Sequence, residues 1–128
     1  MTTTEPNLTY PLTQYVRETL VALAAQTTDE VCGFIRYAFA NSQIVHPMEN
    51  VSKSPARFFA MDDEEMVEYY KNHLPRSIGM YHSHPGGSLK PSPADIEHAP
   101  MFGRYFIVAR GMVIEWDLSN RAKPVRVP

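Results

Sequence analysis

The first half of the chain changes from a helix-like to a strand-like pattern of apolar residues. From Leu12 to Ala25, apolar residues recur at helical spacing, which predicts an amphipathic helix with one buried stripe. Residues Glu30 to Ala40 are too continuously apolar for a surface strand, so we expect a central strand that is buried on both faces, with Glu30 at its start. Gln43 to Met48 predicts a second strand, and the polar residues from Met1 to Tyr10 predict a loose lead-in.

The middle of the chain predicts a strand, a capped helix and another strand. Arg57 to Met61 is short, apolar and aromatic, which indicates a strand. Asp62 can then cap a helix, with Glu65 three residues further on to complete a capping box, and this helix is expected to extend to Asn72. The apolar residues Ile78 to Tyr81 predict a buried strand that leads into two histidines.

The last third of the chain predicts a short helix followed by a hairpin. The helix is expected from Pro93 to Ala99, since proline is favoured at the first helical position. Arg104 to Ala109 and Met112 to Leu118 are strand-like, and Arg110-Gly111 between them indicates a hairpin turn. The sequence does not place Lys123 to Pro128. Strands and helices that alternate in this way predict an α/β fold, in which helices pack against a mixed central sheet.

Length and composition limit the classes of protein to which the chain can belong. With 128 residues it is large enough for one hydrophobic core, so we expect a single domain over residues 1–128, with 1–10 as a lead-in and 119–128 as a tail. The net charge of −2 and the lack of a Lys/Arg cluster argue against nucleic acid as a partner. Because there is no apolar run of membrane-spanning length, no signal-peptide pattern and only one cysteine, Cys32, we expect a cytoplasmic protein without a membrane partner.

The residues from Met80 to Asp95 combine the features of a metal site. His82 and His84 are two positions apart at the end of a strand, where alternate side chains point to one face, so both imidazoles converge. A Pro-Gly-Gly sequence then ends the strand, and Ser92 is in the N-cap position of a helix. The loop is long enough to bring Asp95 beside the histidines. Two neutral imidazoles, one carboxylate and a water are the ligand set of a catalytic zinc site.

Each of these residues also has an ordinary structural explanation. A single histidine on a strand is more often hydrogen-bonded than metal-bound, and Ser92 with Asp95 resembles an ordinary capping box. The combination of all of them on one strand, turn and helix favours the metal site. Cys32 lies in an apolar strand, where a free thiol is usually a small buried hydrophobe rather than a nucleophile. Three further histidines rank lower as ligands, with a fourth-ligand or supporting role open only for the last: His46, His73 and His98.

The histidine motif and its surroundings resemble a known family. His82-Ser83-His84-Pro85, followed by Pro91-Ser92-Pro93-Ala94-Asp95, is similar to the signature of the JAMM metalloproteases, the JAB/MPN family. The family pattern includes a glutamate at the start of an upstream strand, and Glu30 takes that place here. The resemblance extends from about Leu12 to Leu118. It implies an MPN/JAB domain, a sandwich related in shape to the cytidine deaminases, and the compact chain resembles the prokaryotic or phage members.

The resemblance implies a role for each site residue. His82, His84 and Asp95 would hold one Zn²⁺ per chain, with water in the remaining position. Glu30 would be the acid/base group that takes a proton from this water and delivers it to the leaving amine. Ser92 would both cap the helix and donate a hydrogen bond to the oxyanion, an interaction worth about 3 kcal/mol. The ligand types suit zinc, and Mn²⁺, Fe²⁺ or Co²⁺ can also occupy such a site.

The activity implied by the resemblance is that of a zinc-dependent isopeptidase or peptidase. Its substrate would be a peptide or isopeptide bond after the flexible C-terminus of a ubiquitin-like or sulfur-carrier protein. A peptidase of the phage tail-assembly type and a noncatalytic MPN scaffold are the alternatives, although the complete residue set argues against the scaffold. A zinc deaminase would require a Cys-x-x-Cys pair after the histidine and a nearby His-x-Glu, and the sequence has neither. The oligomeric state is left open.

Overall fold

A computed structural model describes residues 10–100 and 103–128, and within them three helices and six strands follow one another along the chain. The predicted lead-in therefore lies, except for Tyr10, outside the described residues. Two short 3₁₀ turns, Phe39–Asn41 and Leu74–Arg76, join these elements. The elements are α1 (Gln14–Ala25), β1 (Cys32–Tyr37), β2 (Gln43–Met48), α2 (Asp63–His73), β3 (Ser77–Ser83), α3 (Pro93–His98), β4 (Arg104–Ala109), β5 (Met112–Asp117) and β6 (Val125–Arg126).

The six strands form one mixed sheet in the order β2-β1-β3-β4-β5-β6. Only the β3 and β4 pair is parallel, and each of the other neighbouring pairs is antiparallel. A parallel pair needs a long crossover connection, and here that connection contains α3. The predicted α/β fold with a mixed sheet is confirmed, and the crossover places the second half of the histidine motif above the sheet.

The sheet has a separate apolar layer on each face. On one face, α1 contributes Val16 and Leu20 to a cluster that includes Ile35, Tyr81 and Phe106 from the sheet. The layer on the other face consists of residues from β1, β3 and β4 with residues from α2 and from the chain around α3: Cys32, Phe34, Met61, Tyr69, Met80, Ala99, Tyr105, Ile107 and Ala109. His82 lies on this second face, between the rings of Phe59 and Tyr105.

The predicted helix and central strand near the start of the chain are present but shorter than expected. Thr13 caps α1, its side chain accepting a hydrogen bond from the backbone N–H of Val16. Tyr15, one of the apolar residues between Leu12 and Ala25, is exposed and so lies outside the buried stripe. The strand β1 ends at Tyr37, because the chain turns through positive φ angles at Ala40 and Asn41, and Phe39 is consequently 94% exposed.

The strand predicted at Arg57 to Met61 is wrong, because one asparagine side chain takes over the hydrogen bonds that a neighbouring strand would supply. Asn50 donates through Nδ2 to the carbonyls of Glu30 (2.9 Å) and Phe58 (3.1 Å). Its Oδ1 accepts from the backbone N–H groups of Ser52 and Ala60, both at 3.1 Å. Asparagine side chains commonly offer the backbone such an alternative to secondary structure. Residues 49–61 therefore form an irregular loop that reaches the start of β1.

We expect Asn50→Ala to destabilise the protein by about 2–3 kcal/mol, since it removes several hydrogen bonds worth roughly 1 kcal/mol each. Chemical denaturation of the two proteins measures this difference. Ser52→Ala is the matched control in the same loop, because the Ser52 hydroxyl accepts one backbone hydrogen bond, from the N–H of Ser54 (3.1 Å), where Asn50 makes several. Equal midpoints for Asn50→Ala and wild type would show that this side chain does not hold the loop.

The C-terminal hairpin is confirmed, and the tail that follows it has structure that the sequence did not predict. Arg110 and Gly111 join β4 and β5 with positive φ angles of 52° and 70°, as a tight hairpin turn requires. Beyond β5 the chain turns back, and Val125–Arg126 forms the short edge strand β6 against it. The tail is thus part of the sheet.

Candidate metal centre

The two histidines of the motif lie at the end of β3, at the boundary between the sheet and the loop that leads to α3. The strand ends at Ser83, and the backbone N–H of His84 continues the ladder by donating to the carbonyl of Val108. As predicted, both imidazoles point to one side, and their Nε2 atoms are 3.0 Å apart. His82 is fully buried, and the His84 side chain is 11% exposed.

The third predicted ligand reaches the histidines from α3. Ser92 caps this helix and accepts from the N–H of Asp95 (3.0 Å), while Asp95 Oδ2 accepts from the N–H of Ser92 (2.8 Å), so the predicted capping box is present. The same Oδ2 lies 3.2 Å from His82 Nε2 and 2.9 Å from His84 Nε2. The capping box thus aims one carboxylate oxygen at both imidazoles.

These three atoms have the spacing that a metal ion requires. Atoms at about 2.0 Å from a tetrahedral zinc ion are about 3.3 Å from one another. The triangle formed by His82 Nε2, His84 Nε2 and Asp95 Oδ2 has sides of 2.9–3.2 Å, close to that value. Nitrogen and carboxylate donors of this kind suit zinc. The residues present therefore fit a small divalent cation.

The charges around the triangle also favour a cation. Burial lowers the pKa of His82, so this imidazole is neutral and able to ligate. Burial alone would lower the pKa of His84, but its hydrogen bonds with Asp95 and with the carbonyl of Ser88 raise it. Burial alone would raise the pKa of Asp95, but hydrogen bonds with both histidines keep it well below its ordinary range. Asp95 therefore stays ionised and supplies a negative charge beside the two imidazoles.

Glu30 approaches the triangle from the start of β1. Its ligand oxygen and one nitrogen each of His82 and His84 all lie within 4.8 Å of one another, so these three residues together could hold a metal ion. The side chain is only 6% exposed, and among the described residues its Oε1 has no hydrogen-bond partner. Burial is the main cause that raises the pKa of Glu30 to about 7; the His84 imidazole lowers it and Asp95 raises it further.

Ser83, between the two histidines, joins β1 to β3 at the site. Its hydroxyl accepts from the backbone N–H of Val31 (2.8 Å), and its own N–H donates to the carbonyl of Val31 (2.9 Å). This reciprocal pair lies directly beside Glu30 in sequence, and it holds the start of β1 against the end of β3. Ser83 therefore fixes the backbone next to Glu30 at the site.

Several residues that surround the site were not predicted from the sequence. The Phe59 ring stacks on His82 with centroids 4.5 Å apart, and Tyr105 contacts the same imidazole edge-on at 5.3 Å. Asn50 fixes the Glu30 carbonyl. The signal for Asn50 was its place in a polar loop after β2, where side-chain to backbone hydrogen bonds are common. Phe59 and Tyr105 reach the site only through long-range folding.

The remaining histidines and the cysteine lie outside the triangle. His46 Nδ1 accepts from Arg36 Nε (3.1 Å), and its ring contacts that of His73, with centroids 5.4 Å apart. His98 is exposed on α3. Burial, with a smaller contribution from Glu30, raises the pKa of Cys32 to about 12, which makes the thiol a poor nucleophile.

An apolar cleft of about 640 Å³ opens beside Asp95. It lies between the loop 52–61, the end of β3 and α3. Its lining residues are Ser52, Lys53, Ser54, Phe58, Phe59, Ala60, Met61, Met66, Met80, Ala94, Asp95 and His98. A cleft with mostly apolar walls and a few charged groups, here Lys53 and Asp95, is typical of a site that binds a ligand.

The fold and the site together define a class, that of α/β domains with a candidate metal centre at one end of a mixed sheet. More specifically, the chain belongs to the family of prokaryotic homologs of the JAB domain, whose family model matches residues 13–119. This family includes zinc isopeptidases and noncatalytic members. No curated protein is similar enough to match the chain. Within the described ranges, no helix has the length and apolar composition needed to cross a membrane.

Proposed function

We propose that this protein is a zinc-dependent peptidase or isopeptidase of the JAMM type. The observation that carries the proposal is the triangle of His82, His84 and Asp95 atoms, with the buried carboxyl group of Glu30 beside it. A noncatalytic scaffold has no need for a buried carboxyl group beside this triangle whose Oε1 has no hydrogen-bond partner among the described residues, because such a group destabilises the fold.

His82, His84 and Asp95 would hold the metal, and Glu30 would transfer the protons. Zinc bound there would polarise the substrate carbonyl and lower the pKa of a water to about 7. Glu30 accepts a proton from the attacking water and returns it to the leaving amine nitrogen. Its raised pKa suits both steps, because a general acid/base works best when its pKa is near the working pH.

Ser92 would stabilise the negative charge that develops on the carbonyl oxygen. Its hydroxyl oxygen accepts from the N–H of Asp95, so the hydroxyl proton is directed to another acceptor. That acceptor would be a substrate oxygen placed beside Asp95. The same contact that caps α3 therefore orients the oxyanion donor.

The recessed position of the site favours a narrow, extended substrate. His82 is fully buried and His84 only 11% exposed, so a folded surface loop cannot bring a peptide bond against them. A flexible chain end can enter, with its neighbouring side chains in the apolar cleft. We therefore propose the C-terminal tail of a ubiquitin-like or sulfur-carrier protein as the substrate, cleaved in the reducing cytoplasm, where an unpaired cysteine such as Cys32 is usual.

The test is metal analysis followed by cleavage assays. Purified wild type is analysed by mass spectrometry for bound metal and incubated with fusions in which a reporter peptide follows the tail of a ubiquitin-like or sulfur-carrier protein. We expect about one zinc per chain and release of the reporter, inhibited by a zinc chelator and restored by zinc. A chain that binds zinc and cleaves none of these fusions would refute the proposed substrate, and one that binds no metal would refute the proposed function.

A further inference from the structure

The turn between β5 and β6 contains Arg121 and is held by several hydrogen bonds. Asp117 Oδ1 accepts from the N–H of Ser119 (2.9 Å), and Asn120 Oδ1 accepts from the N–H of Ala122 (3.1 Å). The N–H of Lys123 donates to the carbonyl of Asn120 (3.0 Å), which closes the turn. Arg121 lies inside this hydrogen-bonded turn, so its backbone has a defined position although its surroundings are exposed.

The guanidinium of Arg121 binds the C-terminal end of α3. Its Nη1 donates to the carbonyls of Ile96 and Glu97, and its Nη2 donates to the carbonyl of Ala99 (2.8 Å). The last carbonyls of a helix have no partner within the helix. Ala99 is extended, and Pro100 after it has no N–H to donate to these carbonyls. Arg121 therefore satisfies these carbonyls from a distant part of the sequence.

This contact matters because α3 is too short to be stable alone. It has six residues, and helices of that length are not stable in isolation. Its first turn is fixed by the Ser92 and Asp95 capping box, and its last turn by Arg121. A neighbouring contact has the same effect on the preceding loop, where Trp116 Nε1 donates to the carbonyl of Leu89 (2.9 Å).

We propose that Arg121 is a positioning residue for the metal centre: by holding the C-terminal carbonyls of α3, it fixes the helix that carries Asp95. The inference rests on the proposed function in so far as Asp95 is a ligand. Arg121 lies two residues beyond the segment that the family model matches, so this contact is supplied by the tail of this particular chain. It acts on the metal only through Asp95, and it does not touch substrate.

The test compares Arg121→Ala, Arg121→Lys and the control Lys123→Ala, which removes a cation from the same turn. Amide hydrogen exchange of the metal-free proteins is followed at Asp95 and Ile96, whose N–H groups bond to Ser92. Affinity for Co²⁺ is measured by competition with a chromophoric chelator. For Arg121→Ala we expect several-fold faster exchange at these amides, unchanged exchange in β3, and about 10-fold weaker Co²⁺ binding, as for other residues that orient a ligand.

The lysine variant separates positioning from a general loss of stability. Lysine retains the charge but reaches fewer carbonyls, so Arg121→Lys should recover part of the Co²⁺ affinity, and Lys123→Ala should match wild type. Wild-type exchange and affinity in Arg121→Ala would overturn the inference, as would equal effects of Arg121→Ala and Lys123→Ala. If wild type binds no Co²⁺ or Zn²⁺, the proposed function fails, and exchange in α3 alone then decides whether Arg121 anchors the helix.

Discussion

Replacing His84 by alanine is expected to abolish metal binding and leave the fold intact. His84 Nε2 is one of the three atoms in the triangle, and its removal leaves only His82 and Asp95. Even residues that merely orient ligands change metal affinity by roughly 10–100-fold, so loss of a ligand should weaken binding by more than about 100-fold. His84 is a better target than His82, because His82 is fully buried between two aromatic rings and its truncation would leave a cavity.

The loss is measured by metal content and by thermal unfolding with and without zinc. A metal at 100 times its dissociation constant stabilises a protein by about 2.7 kcal/mol, so zinc should raise the melting temperature of wild type and not that of His84→Ala. His98→Ala is the matched control, since His98 is an exposed histidine on α3 and lies outside the triangle. Stoichiometric zinc in His84→Ala would contradict the proposed ligand set.

Glu30→Gln is expected to lower turnover by roughly 10²–10⁴-fold and to leave the metal content unchanged. The amide has nearly the shape of the carboxyl group but cannot accept and return a proton, which is a contribution of that size in general acid/base catalysis. The three atoms proposed to bind the metal come from His82, His84 and Asp95. If Glu30 were instead a ligand, which its distance from the histidines allows, the substitution would lower metal affinity as well.

The same substitution should stabilise the metal-free protein, and more so at high pH. The folded-state pKa of Glu30 is raised from 4.5 to about 7, so between these values the unfolded chain loses its proton while the folded chain keeps it. Stability is therefore lost as the pH rises towards and through 7. A shift of this size corresponds to about 3 kcal/mol. Denaturation at pH 5 and pH 8 should show a larger gain for Glu30→Gln at pH 8.

Asp29→Asn is the matched control for both measurements, because Asp29 precedes Glu30 and is exposed. It should retain full activity and show no pH-dependent gain in stability. Full activity in Glu30→Gln would refute the proposed acid/base, whatever its effect on stability.

The parts of the site that could be predicted from the sequence are those set by local geometry. Two histidines at alternate positions of a strand must point to one face, and a Ser-Pro start predicts the capped helix that carries Asp95. The prediction that Asp95 lies beside the histidines required only that the intervening loop be long enough. The position of Glu30 could not be predicted in this way, because it depends on the pairing of β1 with β3, which no local pattern reveals. Only the family resemblance indicated that Glu30 belongs to the site.

The incorrect parts depended on contacts between distant residues. The pattern at Arg57 to Met61 is strand-like, but Asn50 bonds the backbone of this segment and no neighbouring strand is available to it. The tail was unplaced because β6 has two residues, too few for periodicity, and because Arg121 finds its partners 22 to 25 residues earlier in the chain. Strand order was likewise hidden, since periodicity gives the faces of a strand but not its neighbours.

The parallel pairing of β3 and β4 also bears on how such a site can change during evolution. All three atoms of the triangle come from the fourteen residues His82 to Asp95, at the end of β3 and in the crossover, while Glu30 comes from the segment just before β1. On the proposed function, a single substitution at Glu30 would silence the chemistry and leave the segment with the three proposed ligand atoms complete. The reverse change would restore it without rebuilding the segment. On that proposal, catalytic and silent descendants of one ancestor would differ by one codon rather than by a new fold.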